Sequence, residues 1–333
     1  MSLLSTKDYK MLNRFLALRE NDTKELMLKY LNKYYKQIYS TPYYIMAEGD
    51  IPVVLLAHLD TVDEKRTKYE MIYDPKKEII ASLYSLGFDD KAGLVAILKI
   101  LEAGYRPSIV CCTGEEMGCI GAEQLVLDYP TCPFKHCPKY LIQLDRRGLT
   151  DCVFYDCDNY DFIKYIESFG YFKEAFGSFT DICTIAPKWG MSAVNLSIGY
   201  YNEHTRDEYL DVRGWLKSIQ QTQVILDDIK DAPFFKYEER VKDLSYTSAF
   251  GPYDYFDQDA IDICDFCGAI TPVQELFDVV KANGEIMTSC VHCLSGKYDF
   301  CNECNSFYEP IDDHTKRCYW CEQEVKGGFK RVY

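Results

Sequence analysis

The feature that most restricts the fold of this chain is an alternation of short apolar runs with helical stretches from about residue 43 onward. The runs VVLLA, SIVCC, YLIQL and AVNLSI are separated by segments such as DKAGLVAILKILEAG and CIGAEQLVLDY, whose apolar residues recur at helical spacing. Apolar strands that alternate with amphipathic helices are typical of a sheet covered on both faces. The pattern therefore predicts an α/β domain in which helices sandwich a sheet.

Three regions follow from these patterns. The α/β domain is predicted over residues 1–230, a length that suits a single large domain. Residues 231–260 show no steady period and are rich in Tyr, Phe and Asp, which indicates a linker or docking strap rather than a core element. Residues 261–333 are rich in cysteine and form a separate small module.

Helical periodicity also predicts the two ends of the α/β domain. A helical hairpin is expected over residues 5–39, with Asn21 and Asp22 capping its second helix. The last helix of the domain is expected over residues 207–230.

Charge and hydropathy exclude two classes of partner. The formal net charge of −15 argues against nucleic acid, because a sequence-independent grip on phosphates needs a basic surface. The N-terminal segment has no apolar signal-peptide core, and no run of about 18 apolar residues is present. We therefore expect no membrane association and a cytoplasmic location. The eight cysteines scattered between Cys111 and Cys183 fit a reducing compartment.

Polar residues that directly follow the apolar runs are candidates for a site. Ligands of such sheets gather beyond the carboxyl ends of the strands. Five places supply such residues: His58 and Asp60, Asp89 and Asp90, Glu115 and Glu116, Asp145, and His204.

Two histidines among several carboxylates form a ligand set that divalent ions such as zinc prefer. A pair of ions needs one bridging carboxylate and two further ligands on each side, which makes five protein ligands. Of two neighbouring glutamates, one can bind an ion while the other accepts a proton from water. Taken singly, these residues have simpler roles. Asp90 with Lys91 could cap the helix DKAGLVAILKILEAG, and Glu115 with Glu116 could form the acidic first turn of another helix.

Five segments in this order, AHLDTV, GFDDKAG, TGEEMG, LIQLDRRG and NEHT, resemble the co-catalytic di-zinc exopeptidases, a superfamily of aminopeptidases and carboxypeptidase-like enzymes. The resemblance extends over residues 40–230 and implies their phosphorylase/hydrolase-like mixed sheet. It also implies five ligands for two Zn²⁺ ions, for which Co²⁺ or Mn²⁺ can substitute: Asp89 as the bridge, His58 and Asp145 at one ion, and Glu116 and His204 at the other. Glu115 would be the general base, and Asp60 would bond the far nitrogen of His58.

Two details refine this resemblance. Many carboxypeptidase-like members carry an inserted lid or dimerisation domain before the final histidine, but only 59 positions separate Asp145 from His204, so the chain is more similar to the single-domain aminopeptidases. The segment GSFTDI resembles the Ser-Asp stretch of the superfamily. Its Asp181 is expected either to hold a loop or to contact substrate.

Other chemistries have weaker support in the sequence. The chain contains no GxSxG segment for a serine nucleophile. Cys132, His136 and Cys137 form the segment CPFKHC, which has no matching partners and is expected to be a surface loop.

The C-terminal module contains four CxxC pairs, enough for two tetrahedral Cys₄ sites that hold two structural Zn²⁺ ions. The eight cysteines are Cys264, Cys267, Cys290, Cys293, Cys301, Cys304, Cys318 and Cys321. Either consecutive pairing in zinc ribbons or an interleaved cross-brace fits the spacing. Residues 260–333 carry 12 acidic and 7 basic side chains, which favours binding to a protein partner or docking onto the catalytic domain over binding to nucleic acid.

These patterns together predict a zinc-dependent exopeptidase, in the first place an aminopeptidase that acts on short peptides through a metal-bridging water. A second hypothesis within the enzymes is an amidohydrolase or deacylase of N-acyl amino acids, because the same metal pair cleaves both kinds of amide. A third hypothesis is a non-catalytic adaptor that binds proteins through its zinc-ribbon module. The sequence indicates no oligomeric state.

Overall fold

The computed structural model describes most of the chain, namely residues 3–62, 71–82, 86–230, 232–240, 261–268, 270–272, 276–283, 286–294, 298–301, 306–310 and 319. The chain divides into two compact units, Met1–Leu244 and Ser245–Tyr333.

The first unit opens with the expected helical hairpin. Its helices are α1 (Thr6–Leu16) and α2 (Glu20–Leu31), and the Ser5 side chain caps α1 by accepting a backbone hydrogen bond. Both helices bury apolar side chains, among them Phe15 and Met27, in the main core of the unit. The hairpin is therefore part of the domain rather than an appendage.

The expected cap of the second helix is wrong. Helix α2 begins at Glu20, one residue before Asn21, and its N-cap residue Arg19 makes no side-chain capping bond. The Glu20 carboxylate instead accepts the backbone N–H of Gly114, a contact made far along the chain. Asp22 lies within the first turn, where a carboxylate stabilises the helix dipole without capping.

The first unit contains two sheets. Its strands are β1 (Ile38–Ser40), β2 (Tyr44–Ala47), β3 (Ile51–His58), β4 (Ile72–Asp74), β5 (Ile79–Ala81), β6 (Pro107–Cys112), β7 (Leu141–Arg146), β8 (Asp151–Val153), β9 (Lys173–Ala175), β10 (Ala193–Ser197), β11 (Tyr200–Tyr201) and β12 (Tyr209–Asp211). The large sheet has eight strands in the order β1-β2-β6-β3-β7-β10-β8-β9. Strands β6, β3, β7 and β10 are parallel, whereas β2 and β8 run antiparallel to them, which confirms the expected mixed sheet.

Helices cover both faces of the large sheet, as the alternating pattern predicts. They are α3 (Phe88–Glu102), α4 (Ile120–Asp128), α5 (Tyr160–Ser168), α6 (Asp181–Trp189) and α7 (Val212–Asp227). One core cluster joins α1, α2, α3, α5 and α7 to the sheet, and a second joins α4 and α6 to it. Among the described residues, no helix combines the length and apolar character needed to cross a bilayer.

The small sheet has four strands in the order β11-β12-β5-β4. Its strand β12 occupies part of the segment expected to be helical, so the last helix begins at Val212 and not at residue 207. The Asp211 carboxylate caps α7 by accepting the N–H of Gly214 at 2.9 Å. A 3₁₀ turn, Asp228–Lys230, follows the helix.

Residues 232–240 pack on the first unit. Ala232 and Phe235 are buried in its main core, and the N–H of Ser192 donates to the carbonyl of Phe235 at 2.8 Å. This part of the predicted linker or docking strap therefore contributes two core side chains, contrary to the expectation that it lies outside the core. The rest of that segment, 241–260, lies outside the described residues.

The second unit is built from short strands. They are β13 (Ile261–Ile263), β14 (Ile270–Pro272), β15 (Leu276–Val280), β16 (Ile286–Cys290), β17 (Asp299–Cys301) and β18 (Ser306–Tyr308), with helix α8 (Val291–Leu294) after β16. Strands β13 and β14 form a hairpin, and the other four form a sheet in the order β16-β15-β18-β17. Strand β16 carries Cys290, and α8 begins directly after it.

Candidate metal centre

The predicted ligands and the predicted base meet in one cluster at an edge of the large sheet. They are His58 at the end of β3, Asp89 in the first turn of α3, Glu115 and Glu116 after β6, Asp145 in β7, and His204 between β11 and β12. Strands β6, β3 and β7 are parallel neighbours, so their carboxyl ends reach the same edge. This shared edge explains how residues so far apart in sequence come together.

Asp89 lies between the two histidines. Its Oδ1 is 2.9 Å from Nε2 of His58, and its Oδ2 is 3.2 Å from Nε2 of His204. Nε2 of His58 also lies 3.4 Å from Asp145 Oδ1, and Nε2 of His204 lies 2.8 Å from Glu116 Oε1. The Nε2 atom of each imidazole thus lies near one oxygen of Asp89 and one further carboxylate.

The two halves of the cluster differ in exposure. The His58 side chain is 1% exposed, whereas that of His204 is 44% exposed. His204 also has a left-handed backbone conformation, with a φ of 62°, which non-glycine residues rarely adopt. The cluster is therefore deep on the His58 side and open to solvent on the His204 side.

The donor chemistry of the cluster fits divalent cations. Three overlapping groups of residues could each hold a metal ion, because the potential ligand atoms within each group lie within 4.8 Å of one another. The groups are His58, Asp89 and Asp145; His58, Glu115 and Glu116; and Asp89, Glu116 and His204. Burial raises the pKa of Glu115 to about 9 and that of Asp145 to about 6. A divalent cation among these groups would stabilise their ionised forms. Carboxylate and imidazole donors suit zinc, manganese and cobalt.

Asp60 lies next to the cluster and contacts both His58 and the backbone of the two glutamates. Its Oδ1 lies 3.3 Å from Nδ1 of His58, close enough for an ion pair but without the geometry of the hydrogen bond that the sequence resemblance implies. The same carboxylate accepts the backbone N–H groups of Glu115 and Glu116, each at 3.1 Å. Asp60 therefore holds the segment that presents both glutamates, a second role that the sequence alone did not reveal.

The aspartate pair and the glutamate pair occupy different positions relative to the helices that follow them. Asp90 accepts the N–H of Gly93 through Oδ1 and that of His58 through Oδ2, so it combines a local helix contact with a bond to β3. The peptide bond between Asp89 and Asp90 is cis. The two glutamates precede α4 and do not form its first turn.

A network of neutral polar side chains holds Asp145. Its Oδ2 accepts hydrogen bonds from Thr180 at 2.8 Å and from Gln143 at 3.0 Å, and its backbone N–H donates to Oδ1 of Asn195 at 3.0 Å. The amide of Asn195 in turn donates to the Tyr155 hydroxyl at 3.0 Å. Sequence reasoning missed these residues, although Gln143 and Asn195 interrupt apolar runs and are paired in register on adjacent strands.

Glu208 supports the Asp89 turn and was also missed. This carboxylate is buried and accepts the backbone N–H groups of Leu86, Gly87 and Asp89. Within the sequence it is one of several acidic residues in a polar stretch, so no local signal distinguishes it.

Asp181 is fully buried beside the cluster. Neither of its carboxyl oxygens has a hydrogen-bond partner among the described residues, and burial raises its pKa to about 7. Its neighbour Thr180 holds Asp145, while Ser178 and Phe179 line the adjacent cavity. The GSFTDI segment thus contributes to both the cluster and the cavity wall.

A cavity of about 250 Å³ opens onto the cluster. Besides the acidic residues, its lining includes Arg146, Arg147, Tyr155 and Phe179. Nη1 of Arg147 lies 2.9 Å from Oε1 of Glu203, and Nε of Arg146 lies 3.4 Å from Oδ2 of Asp151, so both arginines form ion pairs. The cavity therefore presents groups of both charge signs next to the candidate metal ligands.

A second cluster of possible ligands lies in the second unit. Ligand sulfur atoms of Cys264, Cys267, Cys290 and Cys293 lie within 4.8 Å of one another. The backbone N–H of Cys290 donates to the thiol sulfur of Cys264 at 3.3 Å. These four residues are the first two CxxC pairs, as consecutive pairing predicts. The side chains of Cys301, Cys304, Cys318 and Cys321 lie outside the described residues.

The segment CPFKHC contributes to neither cluster. His136 and Cys137 are exposed, and the Cys137 thiol donates a long hydrogen bond to the carbonyl of Lys135. No group of possible metal ligands among the described residues includes this segment.

Comparison with known proteins gives matches to solved structures only. No protein-family model matches the sequence, and no curated protein matches it. The structure is similar to aminopeptidase PepT from Bacillus cereus, with 13% identity, a TM-score of 0.54, and coverage of 66% of this chain and 98% of that one. A tripeptidase from Staphylococcus aureus matches with 14% identity, a TM-score of 0.54, and coverage of 67% and 98%.

An archaeal aminopeptidase from Desulfurococcus kamchatkensis matches with 15% identity, a TM-score of 0.51, and coverage of 67% of this chain and 94% of that one. These matches rest on structure rather than on sequence, and they agree in the share of this chain that they cover. The fold implied by the five sequence motifs is thus confirmed, and the chain shares the fold of the aminopeptidase and tripeptidase structures.

Proposed function

We propose that this chain is a metal-dependent exopeptidase, specifically an aminopeptidase that hydrolyses short peptides. The observation that carries the proposal is the position of Asp89, whose two oxygens face the Nε2 atoms of His58 and His204 at 2.9 and 3.2 Å. A carboxylate between two imidazoles is suited to bridging two divalent cations. The aminopeptidase and tripeptidase structures that share the fold add support.

In this proposal each ion has one histidine and one further carboxylate beside the shared Asp89. His58 and Asp145 would hold one ion, and Glu116 and His204 would hold the other, with Asp89 shared between them. Two zinc ions bound in this way would polarise the scissile carbonyl and lower the pKa of a water molecule.

Glu115 is the proposed proton acceptor. Its Oε atoms would take the proton from the attacking water and later deliver it to the nitrogen of the leaving amine. Burial raises the pKa of Glu115, and cations held beside it would lower that pKa again, so that the carboxylate would be ionised and able to accept a proton. The bonds from Asp60 to the backbone of Glu115 and Glu116 would keep the base and the neighbouring ligand in a fixed relation.

The cavity supports a small substrate. A volume of about 250 Å³ accommodates a short peptide rather than a folded chain. N-acyl amino acids have a similar size and the same amide bond, so they form the second class to be tested.

The second unit is proposed to have a structural role. Four clustered thiols at Cys264, Cys267, Cys290 and Cys293 fit a closed tetrahedral zinc site, which leaves no open position for chemistry. A second such site, formed by Cys301, Cys304, Cys318 and Cys321, remains a prediction. Binding of a protein partner, or docking onto the first unit, is likewise a prediction for this module.

A cytoplasmic location fits the state of the cysteines in the first unit. Cys111, Cys112 and Cys152 are buried free thiols. Buried unpaired cysteines are typical of a reducing compartment.

The test combines metal content with a substrate panel. Elemental analysis of the wild type is expected to find about four zinc ions per chain, falling to about two in His58→Ala/Asp89→Ala. The panel pairs free with N-blocked aminoacyl and dipeptide substrates, and only those with free N-termini should be cleaved. His136→Ala is the matched control, because that imidazole is exposed and belongs to neither cluster.

Three outcomes would redirect the proposal. Cleavage of N-acyl amino acids alone would favour the amidohydrolase. Cleavage at free carboxyl ends alone would assign a carboxypeptidase. About two zinc ions that the variants leave unchanged, with no hydrolysis after addition of zinc, cobalt or manganese, would favour the adaptor.

A further inference from the structure

Glu208 makes an unusual set of contacts for a buried carboxylate. The residue is 1% exposed, and its Oε2 accepts the backbone N–H groups of Leu86 at 2.8 Å and Gly87 at 2.5 Å. Its Oε1 accepts the N–H of Asp89 at 3.3 Å. A buried carboxylate is costly unless it receives hydrogen bonds, and here three donors come from one turn. All of them lie at or just before Asp89.

The loop that carries Glu208 also carries His204. This loop, residues 202–208, is held by its own hydrogen bonds: the Asn202 amide donates to the carbonyl of Asp207, the Thr205 hydroxyl donates to the carbonyl of Asn202, and the N–H of Asp207 donates to that hydroxyl. Internal bonds of this kind restrict how far the two ends of the loop can move relative to each other. These bonds join Asn202, Thr205 and Asp207, and so link the parts of the loop that carry His204 and Glu208.

The orientation of Asp89 depends on the turn that Glu208 holds. Gly87 has a φ of 68°, so the chain reverses sharply just before Asp89. The two oxygens of Asp89 must face different imidazoles, and a small rotation of this turn would move both of them. Because Glu208 belongs to the His204 loop and bonds this turn, it restricts the movement of Asp89 relative to His204.

We propose that Glu208 is a positioning residue, which orients Asp89 relative to His204 and so sets the affinity of this centre for divalent cations. The inference rests on the proposed metal centre, but it concerns a residue that contacts neither cation nor substrate. Partners that orient metal ligands typically change metal affinity about 10- to 100-fold when they are removed.

Glu208→Gln is the informative variant, because it keeps the shape of the side chain. A glutamine has one acceptor oxygen, so its NH₂ group must face at least one of the three backbone N–H donors. Glu78→Gln is the matched control. Glu78 is also a buried glutamate of the first unit, and it accepts hydrogen bonds from the N–H of Leu3 and the hydroxyl of Tyr73, away from the cluster.

The measurement uses the full chain and Mn²⁺ as the probe. Manganese prefers carboxylate and imidazole donors to thiolates, so the cysteine cluster should contribute little to its binding. Free Mn²⁺ is followed by electron paramagnetic resonance during titration, and thermal unfolding of each metal-free protein is recorded in parallel. We expect Glu208→Gln to weaken Mn²⁺ binding about 10- to 100-fold and Glu78→Gln to leave it within about twofold.

Each outcome has a distinct meaning. Equal Mn²⁺ affinities for Glu208→Gln and Glu78→Gln would overturn the inference and leave the metal centre in place. A wild type that binds no Mn²⁺ or zinc in the first unit would overturn the proposed centre itself. If Glu208→Gln does not fold, Glu208→Asp is titrated instead, because it keeps the charge but shortens the reach. Weakened binding in that folded variant supports the inference, and wild-type affinity contradicts it.

Discussion

The two candidate metal sites of this chain are built in opposite ways. The carboxylate and histidine ligands of the first unit come from five segments between His58 and His204, and the fold that brings them together is a large core with its own helices and sheets. The cysteine cluster of the second unit comes from two short segments between Cys264 and Cys293, and the described residues of that unit include few buried apolar side chains. A large core can position ligands before an ion arrives, whereas a small unit commonly depends on the ion for its stability.

The largest expected effect is a difference in what metal removal does to the two units. A strong chelator should abolish amide protection in β15 and β16, while β3, β6 and β7 stay protected. Hydrogen exchange followed by mass spectrometry of the full chain measures both regions in one sample. Cys290→Ser should reproduce the loss without chelator. Unchanged protection of β15 and β16 after chelation would mean that the second unit is stable without zinc. The proposed difference in metal dependence between the two units would then be wrong.

The next largest effect concerns the proposed base. Glu115→Gln should lower kcat by about 10² to 10⁴ because the proton acceptor is lost, while bound zinc stays the same. Steady-state kinetics and elemental analysis on one preparation provide the check. Glu123→Gln, on the exposed side of α4, is the control and should retain full activity. Loss of zinc along with activity would instead identify Glu115 as a ligand, an assignment that its place near His58 and Glu116 also permits.

A smaller effect is expected from substitution of Asp60, which contacts His58 and the backbone of both glutamates but is not a proposed metal ligand. Asp60→Asn places an NH₂ group near the backbone N–H of Glu115 or Glu116 and weakens the contact with His58. Mn²⁺ affinity should fall about 10- to 100-fold, as for other partners of metal-bound histidines. The zinc content of the cysteine cluster should not change. A titration curve identical to wild type would show that the Asp60 contacts do not influence binding.

The smallest effect is expected when two cysteines that belong to no described ligand group are replaced. Cys132→Ser/Cys137→Ser removes two thiols of the first unit, one of them exposed, that belong to no described ligand group. Zinc content and kcat should both remain within about twofold of wild type. A loss of one zinc ion would reveal a further site at this segment and would break the simple division between the two units.

The candidate site could be predicted further from the sequence than the elements that support it. His58, Glu116 and Asp145 follow apolar runs, so their convergence follows once β3, β6 and β7 are parallel neighbours. Asp89 and His204 stand in recognisable motifs, but the small sheet that carries His204 was not predicted. Supporting contacts such as that of Glu208 depend on which loops happen to pack together. Contacts of that kind cannot be seen in the local sequence, because a buried acidic residue in a polar stretch looks the same there as an exposed one.

Element boundaries show the same limit. The apolar runs that predict β3, β6, β7 and β10 are long and buried, and the structure has strands at all four. The start of α7 was misplaced because Tyr209–Asp211 continues the helical spacing but pairs with β5 in the small sheet. Asn21 and Asp22 have the composition of a cap, yet the helix begins at Glu20, whose carboxylate accepts the distant N–H of Gly114. Tertiary contacts therefore override local preference at the ends of elements.

The division of the first unit into two sheets has a consequence for the order of its assembly. Four of the five proposed ligands are carried by the large sheet and its connections, and the fifth, His204, is carried by the hairpin of the small sheet. The complete ligand set can exist only after the two sheets have docked. Acquisition of the second ion during refolding should therefore not precede this docking, so its rate sets a lower limit on the rate at which the two sheets dock.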